Sequence, residues 1–197
     1  MKPMEHYYTR NPTSPLKYFI IKKKLRGFEL IFHTSTGVFC PKKIDTATKL
    51  LAENMIVSKG EEFLDLGSGY GVIGLVAARL GANVSMSEIN LRALMLIKKN
   101  LKENNVKAEV IDSSGFENIK KDFDNICLNP PISAGMKLCQ ELIKESYNHL
   151  KTGGVMQLVA RHNKGGSRLE GFMGEVFNNS KVIAKQGGFK VYASKKI

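Results

Sequence analysis

A glycine-rich turn between an apolar segment and a helical segment constrains the fold of this chain more than any other feature. Residues 63–66 are a short apolar run, and residues 72–80 have helical periodicity. Gly69, Gly71 and Gly74 follow the run with the spacing G-x-G-x-x-G. Glycines at this spacing let a chain pass tightly from a strand into a helix and lie against a ligand. The turn therefore predicts a βαβ unit that binds a nucleoside-containing ligand.

Short apolar runs alternate with helical patterns along most of the remaining chain. The predicted strands are residues 63–66, 83–89, 108–112, 124–129 and 154–160, and the predicted helices are residues 72–80, 90–104, 136–150 and 169–177. Such alternation is typical of a parallel sheet with helices on both faces. Residues 181–184 and 189–193 flank Gly187 and Gly188 and predict a closing hairpin. We therefore predict an α/β fold, a Rossmann-like doubly wound seven-stranded sheet, mostly parallel with a C-terminal antiparallel hairpin strand.

The residues before this sheet predict a smaller extension. The first residues contain three prolines and a basic run at 22–24, a composition typical of a terminal arm. A hairpin is predicted over residues 28–39 with its turn at 35–37, and Asp45 or Thr46 could cap the helix that follows. Within one structural domain we distinguish a basic N-terminal arm, an extension with the hairpin and helix packed on the core, and a core domain: residues 1–27, 28–60 and 61–197.

The charge distribution predicts a polyanionic partner. The chain has 30 Lys and Arg against 18 Asp and Glu, a net charge of +12. Residues 1–60 carry +7, residues 61–160 carry −1 and residues 161–197 carry +6, so the excess lies in the two flanks. Basic surfaces bind phosphates and release their counterions. A solvated basic surface without such a partner is the alternative.

Other classes of protein are disfavoured by the composition. No apolar run approaches the ~20 residues of a membrane span, and the N-terminus lacks the apolar core of a signal peptide. We therefore expect a cytoplasmic protein with no membrane partner. Cys40, Cys127 and Cys139 are too widely spaced for a zinc or redox motif, so we expect no metal.

Three carboxylates at the ends of predicted strands favour a cationic nucleoside as the ligand. Glu88 can accept hydrogen bonds from both ribose hydroxyls, which fits NAD as well as other adenosine ligands. Asp65 stands just before the glycines, where it repels a pyrophosphate but suits an ammonium group, such as the methionine end of S-adenosylmethionine. Asp112 suits an adenine amino group, or else caps a helix. An NAD-dependent oxidoreductase remains an alternative, disfavoured by Asp65.

The tetrapeptide from Asn129 to Ile132 predicts a site for an NH2 group. Two consecutive prolines fix the backbone after a strand and remove two amide donors. The side-chain carbonyl of Asn129 and the backbone carbonyl of Pro130 remain as rigid acceptors for the two hydrogens. Holding both hydrogens aims the nitrogen lone pair at an electrophile. A sulfonium methyl group is such an electrophile, and its transfer needs no metal.

These motifs together resemble those of a known family. The run DLGSGYGVIG with Glu88, Asp112 and NPP resembles class I S-adenosylmethionine-dependent methyltransferases. The further segments TGVFCPKKIDTATKLL, NPPISAG and KQGGFKVYASKK resemble the small-subunit (16S) rRNA guanine-N2 methyltransferase family, above all its compact single-domain archaeal members. The resemblance covers residues 26–197. It implies the class I methyltransferase fold, a methyltransferase catalytic domain at 61–197 and S-adenosyl-L-methionine as the cofactor.

The resemblance also implies a set of site residues. The residues expected to hold the target amine and carry catalysis are Asn129, Pro130, Pro131 and Ile132. The residues expected to bind the cofactor are Phe39, Asp65, Gly67, Ser68, Gly69, Gly71, Glu88, Ile89, Asp112, Ser113 and Asn129. Asp45 is expected to cover the cofactor or the base. The sequence departs from the family at Ile132, where an aromatic residue commonly stacks on the flipped base.

The expected reaction is methylation of a guanine N2 amine in ribosomal RNA by a monomer or small homo-oligomer, with RNA or the small ribosomal subunit as partner. The candidate phosphate contacts are Lys22, Lys23, Lys24, Lys42, Lys43, Lys164, Arg168, Lys195 and Lys196. A tRNA guanine-N2 methyltransferase and a protein glutamine N-methyltransferase acting on a translation factor remain alternatives. A non-catalytic factor that only binds RNA is another, disfavoured by the intact motif residues.

Overall fold

The computed structural model of the chain describes residues 9–197, and within them nine strands and five α-helices. The strands are β1 (Tyr18–Leu25), β2 (Phe28–Ser35), β3 (Glu62–Leu66), β4 (Asn83–Glu88), β5 (Glu109–Asp112), β6 (Phe123–Leu128), β7 (Leu150–Arg161), β8 (Lys181–Gln186) and β9 (Phe189–Lys195). The helices are α1 (Thr46–Asn54), α2 (Val72–Arg79), α3 (Leu91–Glu103), α4 (Met136–Asn148) and α5 (Ser167–Phe177). Short helical turns at Ile132–Ala134 and His162–Gly166 precede α4 and α5.

The seven strands predicted for the core form one sheet, in the order β5-β4-β3-β6-β7-β9-β8. Strands β3 to β7 run parallel, and β9 pairs antiparallel with both β7 and β8. The predicted fold is therefore confirmed, including its antiparallel C-terminal end. The strand order reverses between β3 and β6, and ligands of such sheets bind at the carboxyl ends of the strands beside that reversal.

Helices bury both faces of this sheet. Phe63 and Leu64 are neighbours on β3 and are both fully buried, yet they belong to two different core clusters. One cluster contains side chains of α1, α2 and α3, and the other contains side chains of α4 and α5. A strand covered on both faces is apolar at successive positions, which explains the continuous runs in the sequence.

The predicted N-terminal hairpin is wrong in its position. Residues 28–35 form its second strand, and the first is residues 18–25, which lie in the predicted basic arm. The turn is Arg26–Gly27, with φ values of 50° and 86°. A two-residue hairpin loop with a type I′ turn requires positive φ at both positions. Gly27 adopts positive φ without strain. Residues 1–8 of the predicted arm lie outside the described residues.

Two helix boundaries matter for the site. The helix predicted after Asp45 is confirmed, and Asp45 is its cap, because its Oδ1 accepts the N–H groups of Ala47 and Thr48 at 2.9 and 3.0 Å. The helix predicted over 136–150 ends at Asn148, because strand β7 already begins at Leu150. Within residues 9–197 no helix combines the length and apolarity needed to cross a bilayer.

Candidate active site

A cavity opens at the carboxyl ends of β3, β4 and β6, where the strand order reverses. The predicted site residues that line it are Phe39, Gly67, Ser68, Gly69, Glu88, Ile89, Ser113, Asn129, Pro130 and Pro131. The predicted site residues outside its lining are Asp65, Gly71, Asp112 and Ile132. The structure thus brings the glycine turn, the end of β4 and the NPP segment together around one space.

The glycine turn forms the floor of this cavity. Gly69 has φ of 57°, and a Cβ built on it would meet no atom within 4 Å, so its backbone faces open space. Gly74, in the first turn of α2, is different, because a Cβ there would lie 2.5 Å from the Cε of Met86 on β4. The first glycine leaves room for a ligand, whereas the last allows the helix to pack closely on the sheet.

Glu88 is a nearly buried carboxylate on the wall of the cavity. Its Oε2 accepts the N–H of Gly69 at 2.8 Å, and its Oε1 accepts those of Ile89 and Asn90 at 2.9 Å. Burial raises the pKa of Glu88, while these three backbone donors oppose the rise. A carboxylate offers about four acceptor positions, so Glu88 keeps capacity for a ligand hydroxyl.

Asp65 lies behind the glycine turn. It is 1% exposed, and its Oδ2 accepts the N–H of Gly74 at 2.8 Å, which ties β3 to the start of α2. Burial raises the pKa of Asp65 to about 7. Its predicted role at the methionine end of the cofactor stays a prediction. Glu88 lines the cavity whereas Asp65 does not, and the preference of this end for a cation over a pyrophosphate stays a prediction.

Asp112 is engaged by the N-terminal segment. Both guanidinium nitrogens of Arg10 donate to its carboxylate, at 2.6 and 2.7 Å. This pair is exposed to solvent, and the Arg10 guanidinium lowers the pKa of Asp112. Ser113, the next residue, lines the cavity, but Asp112 does not. Its predicted contact with adenine therefore stays a prediction.

A chain of hydrogen bonds connects α1 to the NPP segment. The Nδ2 of Asn129 donates to the Oγ1 of Thr48 at 2.9 Å, and the N–H of Thr48 donates to Asp45. Because the Asn129 amide nitrogen is engaged, its Oδ1 is the atom that can accept from a ligand. The Pro130 carbonyl accepts the N–H of Ile132 at 2.9 Å and has a second lone pair for another donor.

Several lining residues were not predicted as site residues. Thr48 is 9% exposed and lines the cavity with Tyr70 and Leu138. The hydroxyl of Tyr70, within the glycine motif, donates to the Lys43 carbonyl at 3.3 Å, which ties the extension to the turn. Thr48 lies three residues after Asp45, the cap of the same helix, so its place beside Asp45 could have been predicted from the sequence.

Ile132 lies outside the lining of the cavity, and its expected role beside the base stays a prediction. It lies in the short helical turn before α4 and packs against the core cluster that contains α4 and α5. Pro131 and Leu138 line the cavity nearby and supply apolar surface. Within residues 9–197 no group of three or more His, Cys, Asp or Glu side chains is placed to hold a metal ion.

The chain matches one family profile over most of its length. The profile is described as "Methyltransferase small domain", and it matches residues 29–193. Uncharacterized protein YbxB of Bacillus subtilis is 30% identical and aligns over 98% of this chain and 99% of its own length.

Named methyltransferases are also similar to this chain. Ribosomal RNA small subunit methyltransferase C of Haemophilus influenzae is 34% identical over 84% of this chain and 51% of its own length. A structure of the Thermus thermophilus 16S rRNA N2 G1207 methyltransferase (RsmC) in complex with AdoMet and guanosine aligns with a TM-score of 0.81 at 29% identity. It covers 94% of this chain and 52% of that one. The chain thus spans about half the length of these methyltransferases.

Proposed function

Because the chain belongs to the methyltransferase small domain family, we propose that it transfers a methyl group from S-adenosylmethionine to the N2 amine of a guanine in ribosomal RNA. The observation that carries this proposal is the orientation of Asn129, whose amide nitrogen is held by Thr48 at 2.9 Å in the cavity wall. The relatives named as small-subunit rRNA methyltransferases and the neighbour with AdoMet and guanosine support it. A ribosomal substrate places the reaction in the cytoplasm.

The residues of the cavity fit the cofactor. Gly69 leaves open space where a side chain would fill the floor, and Glu88 is placed to accept from the ribose hydroxyls. Ser113 and Gly115 also line the cavity, and the N–H of Ser113 donates to the Glu88 carbonyl at 3.0 Å, so we assign the adenine to these residues. When bound, S-adenosylmethionine supplies an electrophilic methyl group on a sulfonium centre.

The NPP segment prepares the nucleophile. The lone pair of an exocyclic base amine is delocalised into the ring, which makes the amine a poor nucleophile. Asn129 Oδ1 and the Pro130 carbonyl accept one N–H each, so the amine is held in a single orientation with its lone pair directed away from them. On transfer, the N–CH3 bond would form as the S–CH3 bond breaks, S-adenosylhomocysteine would leave, and the surplus amine proton would pass to solvent. The prolines keep these acceptors rigid, and no change of backbone conformation is required.

Asp45 supports guanine as the base. Its Oδ1 caps α1, while the carboxylate also lines the cavity and shares the neighbour Thr48 with Asn129. The edge of guanine presents the N1–H donor beside the N2 amine, and an acidic side chain can accept from it. Adenine presents an acceptor at N1, which a carboxylate repels.

A transfer assay with tritiated S-adenosylmethionine tests this function. Small ribosomal subunits from a strain that lacks this gene serve as the substrate, and the Asn129→Ala variant is the control. Label that ribonuclease releases as N2-methylguanosine is the expected result. Label released only by protease would instead support glutamine methylation, since an amide NH2 presents the same two hydrogens. A parallel reaction offers transfer RNA from the same strain, and label there with none in the subunits would move the substrate to tRNA.

A further inference from the structure

The β1–β2 hairpin has an inner face that packs on the core and an outer face that does not. Leu25, Leu30 and Phe32 of the inner face are buried. On the other side of β1, Tyr18 is 63% exposed and Ile20 is 61% exposed. The solvated face of an antiparallel sheet is ordinarily polar, so adjoining exposed apolar side chains indicate a contact surface.

Lysines continue this outer face along the strand. Lys22 and Lys24 follow Tyr18 and Ile20 at alternate positions, so all four side chains project to the same side of β1. Together they span ~20 Å at the rise of an extended chain. Within residues 9–197 neither lysine forms an ion pair. The hairpin sequence contains one acidic residue, Glu29, which lies opposite Lys24.

The start of the outer face is bonded to a segment that leads into the cavity lining. The N–H of Thr36 donates to the Lys17 carbonyl at 3.0 Å, and the Oγ1 of Thr36 accepts the N–H of Lys17 at 3.0 Å. This pair holds the start of β1, next to Tyr18, against the segment after β2. Two residues further along that segment, Val38 and Phe39 line the cavity.

We propose that the outer face of the hairpin, formed by Tyr18, Ile20, Lys22 and Lys24, binds the RNA that flanks the target guanine. The inference rests on the proposed function. With the guanine in the cavity, the neighbouring nucleotides reach the Tyr18 end first. Tyr18 and Ile20 offer a surface on which bases stack, and Lys22 and Lys24 neutralise phosphates further along the strand.

The charge of this face favours RNA over a protein partner. Lysine is depleted in the buried centres of protein–protein interfaces, whereas here two lysines continue the face directly after the two apolar residues. A symmetric dimer through this face would place Lys22 and Lys24 of both copies in one interface. Four like charges in one interface oppose association, but they match the phosphates of a nucleic acid strand.

Two pairs of substitutions test the surface in the full chain. Tyr18→Ala with Ile20→Ala removes the apolar groups, and Lys22→Gln with Lys24→Gln removes the charges. We expect the alanine pair to raise the KM for small-subunit RNA at least ~10-fold. The glutamine pair should lower the slope of log affinity against log salt, measured with a fluorescent rRNA transcript, by about 1.4. Calorimetry should show unchanged S-adenosylmethionine affinity, and Tyr18→Phe should retain the wild-type KM.

Lys107→Gln with Lys120→Gln is the matched control. Both lysines are exposed and lie in the loops that lead into β5 and β6, at the sheet edge opposite the cavity. Equal salt slopes for the two lysine pairs, or a wild-type KM in the alanine pair, would overturn the proposal. Conversion of a dimer to a monomer by the alanine pair would assign the face to a second copy. The proposed function fails separately, if the wild type transfers no methyl group to RNA.

Discussion

The chemistry of the site depends on the orientation of one amide group. Asn129 can accept from an amine only if its Oδ1 faces the cavity, and Thr48 fixes that orientation by binding the Nδ2 at 2.9 Å. Thr48 itself is nearly buried on α1, held in place by the cap at Asp45. Under the proposed function, Thr48 therefore determines which atom of Asn129 meets the amine.

Substitution of Thr48 tests this positioning role. Thr48→Val keeps the shape of the side chain but removes the acceptor, so the Asn129 amide can rotate. We expect kcat to fall about 5- to 10-fold, the scale of one hydrogen bond, with little change in S-adenosylmethionine affinity. Asn129→Ala should lower kcat ~100-fold. Thr48→Ser should restore the wild-type rate, and an unimpaired Thr48→Val enzyme would contradict the role.

Asp65 predicts a dependence of stability on pH. Burial raises its pKa to about 7, above the value of about 3.9 in an unfolded chain. The folded state therefore binds this proton more tightly, and the free energy of unfolding falls as the pH rises from 4 to 7. The total loss in the free energy of unfolding is about 1.4 kcal/mol for each unit by which the folded pKa exceeds the unfolded one.

Asp65→Asn should remove this contribution, because an amide still accepts from Gly74 but does not ionise. Urea unfolding at a series of pH values measures the effect. The stability of the variant relative to the wild type should increase between pH 4 and pH 8. A difference that is constant across this range would show that Asp65 does not titrate there.

At the scale of elements, the N-terminus of α1 joins folding to the proposed recognition of the base. Asp45 caps this helix through one oxygen and lines the cavity. Asp45→Asn separates the two roles, because asparagine caps helices as well as aspartate does. The variant should fold with wild-type stability while its kcat/KM for guanine falls ~10-fold or more, the scale of one lost base contact. If Asp45→Asn lowers the thermal stability and loses activity only as the protein unfolds, Asp45 acts as the helix cap alone.

The segment of residues 9–17 is a second element, and one side chain of α3 supplies several of the hydrogen bonds that hold it. The guanidinium of Arg92, on α3, donates to the carbonyls of Pro12, Ser14 and Thr36 at 2.7–3.1 Å. Arg92→Ala should therefore release this segment, with faster hydrogen exchange at residues 12–17 and unchanged exchange in β3 and β6. Arg92→Lys keeps the charge but cannot make all of these bonds, so it should release the segment in part. Unchanged exchange in the alanine variant would contradict this dependence.

At the scale of the whole molecule, the sequence predicted the strands that are buried on both faces of the sheet. The core strands were recognised because both neighbours Phe63 and Leu64 are apolar, and the family and fold predictions are confirmed. Strand β1 was missed because the lysines at 22–24 conceal its alternation, and only Leu25 is buried there. The contact between Thr48 and Asn129 joins residues 81 positions apart, which no local pattern encodes.

The glycine turn, Glu88 and the NPP segment all line one cavity within this chain. We therefore predict that the 197-residue chain binds S-adenosylmethionine, although it spans half the length of the named methyltransferases. A ligand at 100 times its Kd stabilises the folded state by about 2.7 kcal/mol. For a chain of this size that raises Tm by about 5–10 °C. NAD should produce no shift, because its pyrophosphate would lie at the glycine turn in front of the Asp65 carboxylate.

Two carboxylate variants show which residues contribute to binding. For each variant, the Tm with S-adenosylmethionine is compared with the Tm of the same variant without it. Glu88→Gln should lose most of the shift, because Glu88 lines the cavity and an amide accepts at only one of its two atoms. Asp112→Asn should keep most of it, because Asp112 pairs with Arg10 outside the lining. Loss of the shift in Asp112→Asn would mean that Arg10 releases this carboxylate to the adenine. The N-terminal segment would then move whenever the cofactor binds.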